Sequence, residues 1–417
     1  MHPQSKILVI VTVFPSVTET FILNQITDLI DRGFEVTVFT YIQPKNQVVH
    51  QLFHDYHLEK QTVAHFKNYS SKLEVLKKGL AFFRKYRKRI DFAKFIPLLN
   101  PFKIKSSIPI IKKYYDLPIL LFKDNFDVVH AHFGYNGKKV ADAYALGICS
   151  YPKAILSFHG SDLTPSKVDY YKNLYQGVFK SFNDFTVNSP YLLAVLKQVN
   201  PMIANAHLIP VGFKQSYLQQ FSNVEKDKSA FHIVFCGRLI NWKGPDRAIR
   251  ILKKLLDSGR NKCTLHLIGN GEMKEELQAL VKTLQLEQAV VFYGAISQEK
   301  VFQTMASSTV FLLPGIVEKI TERSETQGLV LQEAQFFKLP VVTADVGGIK
   351  YGMIPDETGF LIEDNTENRF VEQLILLYDS PELRTQMGEK GHEFVLQNFE
   401  SNVLGRKMES IYNSFFN

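Results

Sequence analysis

Two glutamates eight residues apart, Glu325 and Glu333, bracket the stretch Glu325-Thr326-Gln327-Gly328-Leu329-Val330-Leu331-Gln332-Glu333-Ala334. The spacing alone says little, because a solvated helix face produces it as readily. The setting says more. Gly328 opens a helix-like run whose first backbone N–H groups have no partner inside the helix and can cradle a diphosphate. Glycine there lets a ligand approach the backbone. Glu333 falls about a turn and a half further in, within reach of a ribose. The two carboxylates could then grip hydroxyls at both ends of a nucleotide sugar. A second stretch, Gly237-Arg238-Leu239-Ile240-Asn241-Trp242-Lys243-Gly244, supplies two cations. On a phosphate-facing loop Arg238 and Lys243 can neutralise a diphosphate leaving group without a metal. Surface cations in a connector are the blander explanation. No Asp-x-Asp pair, the usual short signal for a divalent ion on a nucleotide sugar, occurs in the sequence. Neither a metal site nor a cofactor other than the nucleotide-sugar donor is expected.

Histidines form the other constellation: His130-Ala131-His132-Phe133-Gly134 and Phe158-His159-Gly160-Ser161-Asp162. On a predicted strand His130 and His132 are read as pointing to opposite faces, His132 toward a ligand and the other into the core.

Positioning these groups requires strands that end where the loops begin. Strand-like and helix-like runs alternate along the chain, the signature of doubly wound parallel sheets. Strands are predicted at residues 6–13, 35–40, 127–132, 154–158 and 185–188. Ser16-Val17-Thr18-Glu19 matches a capping box, followed by a helix with Ile22, Ile26, Leu29 and Ile30 on one face and Gly33 past its end. The pattern then restarts, with strands at 232–236, 264–268, 290–293, 310–313 and 340–343, and Pro245 suited to the first position of a helix. The irregular stretch 211–228 is the expected hinge. The fold class predicted is α/β: two Rossmann-like domains facing across a cleft, with ligands beyond the carboxyl ends of the strands. Domain bounds of 1–212 and 213–395 follow, with a helix at 396–417 expected to pack back toward the first domain.

Composition agrees. With 417 residues, 45% apolar and 22% charged, the chain has core enough for two domains. No long apolar run calls for a transmembrane helix, and no leader is expected at the N-terminus. Cys149, Cys236 and Cys263 have neither metal-ligand nor disulfide spacing, which suits a reducing cytoplasm.

The combined motifs resemble the family-4 retaining glycosyltransferases of the GT-B fold. They are Gly-Arg-Leu-x(3)-Lys-Gly, then Glu-x(7)-Glu, then Pro340-Val341-Val342-Thr343 and Gly347-Gly348-Ile349. Phe14-Pro15-Ser16-Val17-Thr18-Glu19-Thr20-Phe21-Ile22 and the two histidine motifs resemble the subgroup that assembles exopolysaccharides such as colanic acid and amylovoran. The similarity runs from about Ile7 to about Phe399. It implies that Gly237, Arg238 and Lys243, with backbone N–H groups around Gly328, Leu329 and Val330, hold the donor diphosphate, and that Ile296 lies where the base is received. It implies Glu333 on the ribose, Glu325 on the transferred sugar, His159 approaching that sugar from the first domain, and Glu19 and Thr20 along the cleft. This start departs from relatives with a glycine-rich first loop. The implied reaction retains anomeric configuration, taking a hexose-type sugar from a UDP- or GDP-sugar to a lipid-linked saccharide acceptor, in bacterial exopolysaccharide or lipopolysaccharide synthesis. A non-catalytic nucleotide-sugar-binding or membrane scaffold protein on the same fold is the alternative. The joint presence of Arg238, Lys243, Glu325, Glu333 and His159 argues against it.

One stretch matches none of these motifs. Residues 65–123 hold 15 Lys and Arg against three acids, a local +12 in a chain whose whole formal charge is +8. Arg84, Lys85, Arg87, Lys88 and Arg89 interleave with aromatics, as do Ile110-Ile111-Lys112-Lys113-Tyr114-Tyr115 further on. Such a basic, aromatic arm suits an anionic membrane surface, placing the protein peripherally on the inner face of the plasma membrane. A solvated basic hairpin is the plainer reading. No recognised module supports a nucleic-acid partner.

Overall fold

The computed structural model describes residues 5–16, 19–44, 51–65, 72–91, 93, 118–145, 153–227 and 229–415. The chain divides into two units. The first comprises Met1–Asn188, Leu192–Ile209 and Gly405–Asn417, and the second Ser189–Tyr191 and Pro210–Leu404. The last residues thus return to the first unit, where Met408, Ile411 and Tyr412 join its core.

The first unit is built on a parallel sheet of β1 (Lys6–Val13), β2 (Glu35–Ile42), β3 (Thr62–Ala64), β4 (Val128–His132), β5 (Lys153–Phe158), β6 (Asp184–Val187) and β7 (Ala206–Leu208), in the order 3-2-1-4-5-6-7. β1 pairs on both sides, Ile7 opposite Val36 and Val128, and its apolar run is buried because helices cover both faces. The helix Thr20–Asp31 does not use the capping box. Glu19 itself stands at the N-cap, with no side-chain cap bond. The helix thus begins with the residue that a capping box would place one turn inside.

The second unit carries β8 (Phe231–Cys236), β9 (Cys263–Ile268), β10 (Val290–Gly294), β11 (Val310–Leu313), β12 (Val341–Ala344) and β13 (Gly359–Ile362), all parallel, in the order 10-9-8-11-12-13. This is the doubly wound order of a dinucleotide-binding sheet. Helix Pro245–Asp257 has Pro at its start and buries Ala248, Ile249, Ile251, Leu252 and Leu255 on one face. Each fully buried Leu or Ile contributes roughly 1.5–3 kcal/mol. β3, β7 and β13 escaped the sequence reading. They are three or four residues long and lie at sheet edges, where little periodicity accumulates.

Cys263 is buried and Cys236 half-buried, both free among the described residues, and burial pushes each thiol up to about 12. Cys149 lies outside the described residues. Among the described residues no helix is long and apolar enough to cross a membrane.

Candidate active site

In the second unit the site is assembled from loops that follow β8 and β11. Leaving β8, Gly237 donates its N–H to Ile268 O (3.0 Å), and Leu239 N–H donates to Asn270 O (3.0 Å). A short turn, Asn241–Lys243, then ends at Gly244, which has φ +72°. A Cβ on Gly244 would lie 2.2 Å from the Pro314 carbonyl oxygen, so only glycine lets this loop press against the one after β11. Ile316 N–H donates to Trp242 O (2.9 Å) across the same seam. Arg247 closes it: its guanidinium donates to Pro314 O (2.6 Å), Asn365 Oδ1 (2.7 Å) and Asn365 O (2.5 Å).

Lys243 Nζ pairs with Glu325 Oε2, both side chains largely buried. Lys243 Nζ also lies 4.9 Å from the Trp242 ring centroid, and the Arg238 guanidinium 5.6 Å from it. The only tryptophan of the chain thus sits beside both loop cations. Trp242, Lys243, Gly315, Glu325 and Ile349 line one small pocket.

Glu325 is itself held by main chain. Gly348 N–H donates to its carbonyl oxygen (2.7 Å). Cβ atoms on Gly347 and Gly348 would come within 2.2 Å of Glu325 O and 1.8 Å of Thr326 O. This is the physical reason for two glycines that the sequence reading quoted without a role. Gly328 caps helix Leu329–Phe336 at φ +79°, where a Cβ would meet Ile349 Cδ1 at 2.8 Å. The N–H groups of Leu329 and Val330 open this helix, as an anion cradle requires. Glu333 is buried within it, and burial pushes its carboxyl up to about 8. It also raises the Cys236 thiol, so it lies near the end of β8. Ile296, after β10, is half-buried against the unit's core.

The first unit builds its constellation differently. His132 Nδ1 and His159 Nε2 are 3.0 Å apart, and their rings stack at 5.3 Å. Phe21 and Phe133 flank His159, each ring centroid 4.8 Å away. Behind lies His130, 0% exposed, with Nδ1 2.6 Å from Tyr412 Oη and Nε2 2.7 Å from Ser157 Oγ. Burial lowers all three imidazoles; His132 falls to about 3. They are neutral at pH 7. The expectation of opposite faces is wrong. Residues two apart on a strand share a face, and the His130 and His132 rings stack at 4.5 Å. His132 is only 1% exposed, so it supports His159 instead of meeting a ligand.

Asp162, unassigned from the sequence, is the organiser here. Its buried carboxylate accepts N–H groups from Gly134 (2.6 Å), His159 (3.1 Å) and Gly160 (3.0 Å), tying the loops after β4 and β5 together. The Ser-Asp pair within the second histidine motif was the available signal. Glu19 Oε2 is buried with no hydrogen-bond partner among the described residues, and burial pushes its carboxyl up to about 7. Thr20 beside it is buried.

In the basic stretch, Arg84, Lys85, Arg87 and Lys88 are exposed at and beyond the end of helix Lys72–Tyr86. Arg89 is not free: it pairs with Asp124 (3.0 Å) and stacks on Phe122 (4.8 Å). Ile110, Ile111, Lys112, Lys113, Tyr114 and Tyr115 lie outside the described residues.

Comparison with known proteins adds the chemistry. Residues 217–394 match the family model of glycosyl transferases group 1. The chain is 26% identical over 403 residues to the Escherichia coli (strain K12) colanic acid biosynthesis glycosyltransferase WcaL, covering 95% of this chain and 97% of that one. It is 26% identical over 300 residues to N-acetyl-alpha-D-glucosaminyl L-malate synthase of Bacillus anthracis, covering 70% and 75%. Among solved structures, Anabaena HepE in complex with UDP and glucose superposes with a TM-score of 0.70 at 16% identity, covering 98% and 100%. WaaG, a glycosyltransferase involved in lipopolysaccharide biosynthesis, gives 0.60 at 15%, covering 97% and 99%. The chain is a glycosyltransferase that carries a group 1 domain at residues 217–394 on the two-Rossmann-domain GT-B fold.

Proposed function

We propose that the chain is a retaining, metal-independent hexosyltransferase, moving a sugar from a UDP- or GDP-sugar to a lipid-linked saccharide in bacterial exopolysaccharide or lipopolysaccharide synthesis. The observation that carries this reading is the Lys243–Glu325 pair beside the Gly328-capped helix that buries Glu333. A cation, open N–H groups and two carboxylates in one neighbourhood are what a nucleoside diphosphate and its sugar would need, which supports this reading. Arg238 and Lys243 neutralise the leaving diphosphate, helped by the N–H groups at Gly328, Leu329 and Val330. Ile296 packs on the base and Glu333 takes the ribose hydroxyls. Glu325 orients the sugar while sharing the Lys243 ammonium with the phosphate.

The anomeric C–O bond to phosphate breaks as the acceptor hydroxyl oxygen bonds to the same face, and the departing phosphate takes the hydroxyl proton. Neutral His159, held by His132, is a hydrogen-bonding partner for the sugar, and Glu19 and Thr20 lie on the acceptor side. No cofactor and no nucleic acid enter this reading. The donor stays open between UDP and GDP because relatives differ. HepE is seen with UDP-glucose, whereas a Corynebacterium glutamicum relative, 27% identical over 183 residues, is named as GDP-mannose-dependent. WcaL and WaaG support a polysaccharide product.

Exposed Arg84, Lys85, Arg87 and Lys88 support peripheral docking on an anionic inner membrane face, each cation adding about 1 kcal/mol. The test is donor hydrolysis across UDP- and GDP-sugars in EDTA, followed by transfer to a polyprenyl-linked saccharide. At least one donor is expected to turn over without metal. Replacing these four cations by Gln should slow only the lipid-linked transfer and weaken vesicle binding. Turnover that requires Mg²⁺ would contradict metal independence, and equal loss in both assays would contradict docking.

A further inference from the structure

Beside the histidine constellation lies a ladder of tyrosines that the mechanism above does not use. Tyr175 is fully buried and donates its hydroxyl to Asp162 O (3.0 Å). Gly134 makes room for it, since a Cβ there would lie 2.4 Å from Tyr175 Oη. Tyr171 stacks on Tyr175 at 5.4 Å and 6°. From this buried base two rings reach solvent. Tyr135 sits edge-on to Tyr175 at 6.2 Å, and Tyr170 edge-on to Tyr171 at 5.4 Å. Tyr135 is 45% and Tyr170 52% exposed. Burial, then Tyr171 and Tyr170, push the Tyr135 phenol up to about 12, so it stays neutral at working pH.

We propose that Tyr135 and Tyr170 form a stacking platform for a pyranose ring of the saccharide acceptor. Three features favour a sugar. The rings follow the carboxyl ends of β4 and β5, where parallel sheets bind ligands. The negative face of an aromatic ring attracts the polarised C–H face of a pyranose, while phenol oxygens at the rim exchange hydrogen bonds with hydroxyls. Rings stacked on a buried base lose little conformational entropy on binding. The base is shared with the site: Asp162, whose main-chain oxygen anchors Tyr175, also holds the His159 and Gly134 N–H groups.

This inference rests on the transferase reading above, and its test separates the two. Saturation-transfer NMR is recorded on the full chain with UDP or GDP and the methyl glycosides of glucose, galactose and mannose, irradiating protein aromatic protons. The wild type is expected to pass saturation to pyranose ring protons. The Tyr135→Ala/Tyr170→Ala variant should lose most of it, and Tyr135→Phe/Tyr170→Phe should keep most. Nucleotide binding, followed by Trp242 emission, should be unchanged in both variants. No saturation in the wild type, or undiminished saturation in the Ala variant, would overturn the platform. So would an Ala variant that no longer binds nucleotide, because the rings would then serve the fold. Undiminished saturation with a changed mass in solution would assign the face to contacts between copies. Saturation without nucleotide binding in the wild type would leave the platform standing and remove the donor reading.

Discussion

In the second unit the functional loops are charged and fastened by main chain: Gly244 against Pro314, Gly348 against Thr326, and Lys243 paired with Glu325. In the first unit they are fastened by side chains: Asp162 gathering three N–H groups, and the neutral imidazoles of His130, His132 and His159 in a stack. The contrast follows from what each region is read to bind. A diphosphate needs fixed positive charge and close backbone approach, which glycines allow. An uncharged sugar needs directional partners whose protonation does not drift, which buried neutral imidazoles provide. Perturbing the charged loops of the second unit should therefore remove chemistry, and perturbing the side-chain cluster of the first unit should remove order.

The largest expected effect is on Lys243→Ala. It should lower kcat/KM by at least about 10²-fold, the scale for losing a preorganised charge in the transition state. It should also cost stability, about 3 kcal/mol, because Glu325 is left as an unpaired, largely buried carboxylate. A loop cation read from sequence alone would not be expected to stabilise anything. Pairing Lys243→Met with Glu325→Gln should restore denaturant stability and leave turnover lost. Recovered turnover would blur the contrast.

Asp162→Ala should act in the opposite sense. Three backbone N–H groups lose their acceptor, at about 1–3 kcal/mol each, so urea unfolding should show a loss of at least about 3 kcal/mol while nucleotide affinity is kept. A loss below about 1 kcal/mol would mean that these loops are held otherwise.

The smallest effect expected is on pH dependence. Glu333 has its carboxyl raised by burial to about 8 against an ordinary 4.5. The unfolded chain therefore releases this proton first. The associated stability is fully present below pH 4.5 and is lost as pH rises toward 8. Ribose hydroxyls donating to the carboxylate favour its ionised form, so nucleotide affinity should rise with pH up to about 8, by at most about tenfold per unit. Calorimetry in buffers of different ionisation enthalpy should record proton release on binding, absent in Glu333→Gln. A flat profile in the wild type would remove Glu333 from the ribose site.

The donor half was the more legible in sequence, and for a physical reason. Backbone-fastened loops require glycine at fixed offsets, so Gly244 and Gly328 mark their own geometry beside Arg238, Lys243 and Glu333. The long central strands announce themselves by apolar runs, whereas edge strands β3, β7 and β13 are too short to do so. The histidine half depends on contacts between distant residues. Tyr412 meets His130 across 282 positions, and no local pattern announces that. Asp162 stands in the second histidine motif, but one of its three donors, Gly134, comes from a loop 28 residues away. The error over His130 and His132 was one of counting strand faces.

The account stands most directly on Trp242, the chain's single tryptophan, placed beside both donor cations. Its emission can be followed while UDP and GDP are titrated in EDTA into the wild type and Lys243→Ala. A saturable change in the wild type with at least one nucleotide, weakened by about tenfold or more in Lys243→Ala, is the predicted result. No change with either nucleotide, or equal affinity in both proteins, would contradict the claim that the Lys243–Glu325 pocket is the donor site.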